Sequence, residues 1–232
     1  MADPPINAKV ARLIRRAHGI LKQGYQQKAH NVARDAFEVA LLSSHRYSIA
    51  SAAYTLATIL WADSDADLNE VLNLLGKAQI NAQSHSDTAL GAKTLMARVE
   101  AALGNYEAAE TLNEELLTYY VGKNSRSGEA EVLRNLGELR RQQGDFVNAP
   151  YYLNQSLNIY RELGDSFHQG AALLSLGAIH LQIGAFDEAE NCWREALALG
   201  EKVGEGQITR RAQNGLNLVA EVRATQPNEG CA

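Results

Sequence analysis

Glycines recur in this chain at a fixed interval of forty residues. Gly104, Gly144 and Gly184 stand in one register, Gly24 falls eighty residues before Gly104, and Ser64 holds the place between them. Five positions later come Ala29, Asn69, Ala109, Ala149 and Ala189. Seven positions before the glycine stand Ala17, Ala57, Ala97, Gly137 and Gly177, a small residue every time. The residue before each of these is Arg16, Leu56, Met96, Leu136 or Leu176, apolar in all but the first unit. A period of this length dictates an array of like supersecondary units, each able to bury its apolar face only by stacking on the next.

Each unit reads as two helices. In the fourth, Val132, Leu133, Leu136 and Leu139 fall at helical spacing, Gly144 breaks the helix, and Asp145 is expected to cap the next. Phe146, Ala149, Leu153, Leu157 and Tyr160 then share one face before Gly164 and Asp165. The small residues mark places where paired helices approach closely. Of four prolines only Pro150 lies away from the termini, and strand patterns are absent, so an all-α chain is predicted. The predicted repeats are 8–45, 46–86, 87–124, 126–164 and 166–204, followed by a capping helix over 206–223. Together they make one solenoid domain over 8–223, flanked by a flexible segment 1–7 and a disordered tail 224–232.

The segments LRNLGELRRQQGDFVNAPYYLNQSL and LLSLGAIHLQIGAFDEAENCWREAL resemble the tetratricopeptide repeat: L-G, then G-x-[YF], then spaced alanines. The forty-residue period and the RELGD ending are similar to the extended repeats of kinesin light chain and of bacterial signalling regulators. Arg140 and His180 stand where the family has a tyrosine, and no proline closes each repeat. The resemblance implies a right-handed α-α superhelix of five helix pairs plus the cap, with ligands held in a concave groove lined by the first helix of each pair.

Several function classes are disfavoured by the residues themselves. The six histidines form no H-E-x-x-H and the two cysteines no C-x-x-C, so no metal site is expected. The turn from Asp63 imitates the start of a calcium loop, but Leu68 and Leu74 stand where Gly and a bidentate Glu are required, and Asp67 reads as a helix cap. Phosphate-cradling and nucleophile-elbow motifs are missing, so neither catalysis nor a cofactor is expected. Cys192 reads as a small packing residue. With no apolar run long enough to span a bilayer and no leader pattern, the chain is expected to be soluble and cytoplasmic, without a membrane partner.

The resemblance implies which side chains face the groove: Ile14, His18 and Leu21; Tyr54, Thr58 and Trp61; Thr94, Arg98 and Ala101; Arg134, Glu138 and Arg141; Leu174, Ala178 and Leu181. Asn135 matches an asparagine that related repeats use against a peptide backbone. Two readings of the charged set stay open. Arg98, Arg134 and Arg141 receive the carboxylates of an acidic peptide while Tyr54 and Trp61 take an apolar side chain, or the arginines pair within the solenoid, Arg98 with Glu138 and Arg140 with Glu100, and the aromatics are core. Charge is uneven: residues 1–48 hold eight Lys/Arg against three Asp/Glu, the remainder 14 against 24. Arg12, Arg15 and Arg16 therefore mark a second partner surface, for an acidic protein or for self-association through the basic first repeat. Nucleic acid is disfavoured by the acidic remainder. The function expected is a non-catalytic protein–protein interaction module, an adaptor or scaffold. The alternative is a ligand- or peptide-sensing regulatory domain that switches an effector.

Overall fold

A computed structural model describes residues 6–225, which are helical throughout apart from turns, with no strand among the described residues. The helices are α1 (Ile6–Lys22), α2 (Gln26–Leu41), α3 (Arg46–Trp61), α4 (Leu68–Asn81), α5 (Asp87–Ala102) and α6 (Tyr106–Gly122). They continue as α7 (Arg126–Gln142), α8 (Ala149–Leu163), α9 (Ser166–Gln182), α10 (Phe186–Val203) and α11 (Gly206–Thr225). These bounds reproduce the five predicted pairs and the added helix. Ile6 and Asn7 already belong to α1, and Ala224 and Thr225 to α11. The rest of the expected flexible N-terminus and disordered tail, with Cys231, lies outside the described residues.

The sequence predicts one domain over 8–223, and the chain divides into two compact units, Met1–Leu112 and Asn113–Ala232. In the first unit α1 packs on α2 and α3 on α4, while the first helices α1, α3 and α5 lie against one another in turn. Its core includes Val10, Leu56, Ile59, Val71, Leu75 and Val99, each shielded from solvent. In the second unit α7 packs on α8 and α9 on α10, α7 meets α9, and α11 covers both α9 and α10. Leu153, Leu157, Ile179, Trp193 and Val219 fill its centre. Complete burial of each such side chain contributes about 1.5–3 kcal/mol.

The small position seven before each turn lies where a helix meets its partner. Ala17 and Ala57 are fully buried. A Cβ at Gly137 would stand 2.6 Å from Leu153 Cγ, and one at Gly177 2.5 Å from Trp193 Nε1. Leu153 and Trp193 therefore occupy the space that a larger residue on the facing helix would need.

The turn glycines adopt left-handed backbone, with φ of +82° at Gly104 and +77° at Gly144, which L side chains resist. The following N–H closes the helix end, Asn105 donating to the Glu100 carbonyl and Asp145 to that of Arg140, each at 2.9 Å. The second repeat has Ser64 at this register and turns differently, with Asp63 N–H on the Leu60 carbonyl at 2.8 Å. Asp67 then caps α4 as expected, accepting from Asn69 N–H at 2.9 Å. Asp145 departs from expectation. Its Oδ1 accepts from Asn148 N–H at 3.0 Å and its carbonyl from Ala149 N–H at 3.1 Å, so it caps a turn ahead of α8, which starts only at Ala149. Pro150 explains the delay: it has no N–H to donate back to residue 146, so the hydrogen-bond ladder lacks a rung there.

Candidate functional site

In the first unit Tyr54, Thr58 and Trp61 are half-buried along one side of α3. The Tyr54 ring lies over α5 at Gly91, where a Cβ would come within 2.6 Å of its hydroxyl oxygen. Thr58 Oγ1 donates to the Tyr54 carbonyl at 2.8 Å, so its polar atom is spent on its own helix. Exposed Arg98 of α5 holds its guanidinium carbon 5.4 Å from the Trp61 ring centroid, a cation on an aromatic face. The structure thus joins three predicted residues, Tyr54, Trp61 and Arg98, across α3 and α5. The glycine that admits Tyr54 was not anticipated; a glycine inside a helix one turn into a repeat was the available signal.

In the second unit Arg134, Glu138 and Arg141 are half-buried on α7. Arg141 Nε donates to both Glu138 oxygens at 3.0 Å and Nη2 to one of them at 2.5 Å. These bonds raise the Arg141 pKa and neutralise its charge locally. The other expected acidic partner, Glu100, accepts from Asn105 Nδ2 at 2.8 Å. Arg134 lies beside the hydroxyl of buried Tyr160, which burial pushes up to about 12 while the arginine opposes that shift. Arg134 Nε and Asn135 Nδ2 are both buried with no hydrogen-bond partner. Asn135 itself is only 5% exposed.

Three predicted groove residues are core instead. Leu174 is 4% exposed, and Thr94 and Ala101 are each 8% exposed. Leu174 joins the apolar cluster that α9 shares with α10 and α11, and its carbonyl accepts from Nε1 of Trp193 on α10 at 3.4 Å. Ile14, Leu21, Ala178 and Leu181 stay half-buried and His18 is exposed.

A cluster missed by sequence reasoning closes α8 onto α9. Asp165 caps α9 through His168 N–H at 3.1 Å and meets His168 Nδ1 at 2.6 Å, and the His168 ring stacks on Tyr160 at 4.9 Å. The Asp165 carboxyl is held below its usual range by the His168 backbone and side chain, against the opposing effect of burial. The i,i+3 spacing of Asp165 and His168 was the legible part; the stack with Tyr160 depends on inter-helix geometry.

Arg12, Arg15 and Arg16 are exposed on α1 and pair with no carboxylate among the described residues. No group of His, Cys, Asp or Glu among the described residues is placed to hold a metal. Burial pushes the Cys192 thiol up to about 11, away from a reactive thiolate. No described helix is long and apolar enough to cross a membrane.

Solved structures share this fold. A Podospora anserina chain of nearly identical TPR-like repeats of the kinesin light chain type is 18% identical with a TM-score of 0.64, covering 88% of this chain and 100% of that one. A Rap protein complexed with competence and sporulation factor gives 15% identity and a TM-score of 0.76 over 90% of this chain and 62% of its own. Bacillus thuringiensis PlcR, in complex with the peptide PapR7 and DNA, gives 13% identity and a TM-score of 0.71, over 90% of this chain and 75% of its own. No curated protein matches the sequence. A family profile for the tetratricopeptide repeat matches residues 87–162. That segment carries the tetratricopeptide repeat pattern, and the helix pairs on either side of it share the fold of these solved repeat structures.

Proposed function

We propose that this chain is a non-catalytic protein-interaction module that binds a peptide segment of a partner on the exposed faces of its first helices. The observation that carries the reading is a pair of adjacent buried donors on α7, Arg134 Nε and Asn135 Nδ2, without acceptors. Buried polar groups are nearly always paired, and an unpaired one costs about 1–3 kcal/mol. A ligand carbonyl or carboxylate arriving there recovers that cost. In the first unit, Tyr54 and Trp61 offer aromatic surface for an apolar side chain, with Arg98 beside it for an acidic one. Arg141 is already neutralised by Glu138, so both act as a fixed pair on the face rather than as carboxylate receptors. The partner segment is therefore acidic and apolar in composition. The free thiol of Cys192 suits a reducing, cytoplasmic setting.

A regulatory variant of the same reading has a specific support: of the structures that share the fold, PlcR holds the peptide PapR7 and a Rap protein holds competence and sporulation factor. In that variant, peptide binding alters the curvature of the repeats and switches an effector. Solution scattering with and without peptide separates the two, since an adaptor keeps its curvature.

The test is a random-peptide display selection on the wild-type chain, followed by titration of selected peptides against N135A, R134A and W61A. Selected peptides should carry Asp or Glu together with aromatic or aliphatic residues, and each substitution should weaken them by about tenfold. Peptides that bind all three variants as tightly as wild type would overturn the assignment.

A further inference from the structure

We infer that the outward face of α1 docks on the outward face of α6 in a second copy of this chain. The two helices carry opposite and unmixed charge. Helix α1 holds Lys9, Arg12, Arg15, Arg16 and Lys22 and no Asp or Glu. Helix α6 holds Glu107, Glu110, Glu114 and Glu115 and no Lys or Arg.

The cations of α1, and Glu107 and Glu114 of α6, are exposed where a neighbour can reach them. Helix α1 buries Val10 and Ala17 against α2 and α3, which turns Arg12, Arg15 and Gly19 to the opposite side, flanked by Arg16 and Lys22. Those cations are exposed and meet no carboxylate among the described residues. Helix α6 buries Ala109, Asn113 and Leu116, which turns Glu107 and Glu114 outward with Thr111 between them. Seven residues span about 10.5 Å along a helix. Glu107 and Glu114 are separated by that distance, as are Arg15 and Lys22, and Lys9 and Arg16. The two rows of charge therefore match in pitch.

Gly19 supplies an independent reason for a close neighbour. It lies inside α1, exposed, and a Cβ built there would meet nothing within 4 Å. The missing side chain keeps this face low enough for another helix to lie on it. The opposing surface is also low at its centre, since Thr111 turns its hydroxyl back onto the Glu107 carbonyl at 2.9 Å.

Alternative occupants fit less well. The apolar side of α1 is committed to α2 and α3, so the helix has nothing to insert into a bilayer. A nucleic acid would meet a chain whose formal charge is -5. A second copy presents a carboxylate row of the right pitch. Because α1 of one molecule meets α6 of the next, each pair leaves one α1 and one α6 free, and association extends head to tail or closes as a ring.

Sedimentation velocity on the full chain tests this, over a concentration series at about 0.05 M and about 0.5 M NaCl. Wild type should assemble with rising concentration in low salt and dissociate in high salt. R12E/R15E/R16E alone and E107K/E114K alone should each be monomeric, with helicity unchanged by circular dichroism. An equimolar mixture of those two variants should assemble again, because each then carries the charge the other lacks. A wild-type chain that is monomeric throughout, or a mixture that stays monomeric while wild type assembles, would overturn the inference. So would wild type that stays monomeric yet binds phosphatidylserine vesicles or a polyanion through the same three arginines.

Discussion

Replacing Gly177 by alanine tests whether the recurring small residue is a packing requirement or a relic of the repeat. The new Cβ would stand 2.5 Å from Trp193 Nε1 and 2.7 Å from Cε2, inside any allowed contact. Trp193 is 5% exposed and wedged between α9 and α11, so its ring has little room to retreat. Overpacking of this kind costs about 1–3 kcal/mol. Displacing the indole also weakens its long hydrogen bond to the Leu174 carbonyl, worth about 0.5 kcal/mol at 3.4 Å. Alanine returns about 1 kcal/mol of helix propensity, which leaves a net loss of about 1–2 kcal/mol. Gly76 is the control: it lies inside α4, and a Cβ there would meet nothing within 4 Å. G76A should therefore stabilise by about 0.5–1 kcal/mol. Urea unfolding followed by far-ultraviolet circular dichroism measures both, and a biphasic curve would assign each to its own unit. A G177A chain as stable as wild type, or a G76A chain less stable, would refute the packing argument. In the double variant G177A/W193L the losses should fall short of their sum by about 1 kcal/mol, the signature of a shared contact.

Three further outcomes follow from the same structure. The Tyr160 hydroxyl titrates near 12 in the native chain against an ordinary 10.0, so the native state holds a proton that the unfolded state releases. Stability is then complete below pH 10 and falls by about 2–3 kcal/mol as pH rises towards 12. Y160F should flatten that part of the pH dependence of urea unfolding. The thiol of Cys192, raised to about 11 from 9.0, should react with a disulfide reagent about a hundredfold more slowly than a free cysteine until the chain unfolds, as timed thiol release would show. Since Asn135 Nδ2 has no partner to lose, N135A should change unfolding free energy by no more than about 1 kcal/mol while weakening peptide capture by about tenfold. A large loss of stability would mean that the amide is structural.

The helix bounds were legible because each is written by a local feature: a left-handed glycine, a capping aspartate or serine, and an apolar face of helical period. The start of α8 slipped because Asp145 and Pro150 give conflicting local signals, and the proline prevails. The site was legible to a lesser degree. Which face of a first helix looks outward follows from its own period, and Arg134, Glu138 and Arg141 duly share a side of α7. Whether a residue on that face stays uncovered depends on the neighbouring helices, and Leu174 is buried in the cluster that α9 shares with α10 and α11. Arg141 shows the same limit for charge. It was expected to meet a ligand carboxylate, and it is paired with Glu138 three residues back on its own helix.

The two tryptophans fall one to each compact unit, Trp61 in the first and Trp193 in the second. They differ optically as well as in place. Trp61 is half-exposed with a guanidinium above its ring, whereas Trp193 is shut in an apolar layer. Contact with water shifts indole emission to the red, and enclosure shifts it to the blue. The chain therefore carries two built-in fluorophores with separable spectra. A collisional quencher would silence Trp61 first, leaving Trp193 to follow the second unit alone, so ligand arrival and the melting of either half could be followed without attaching a dye.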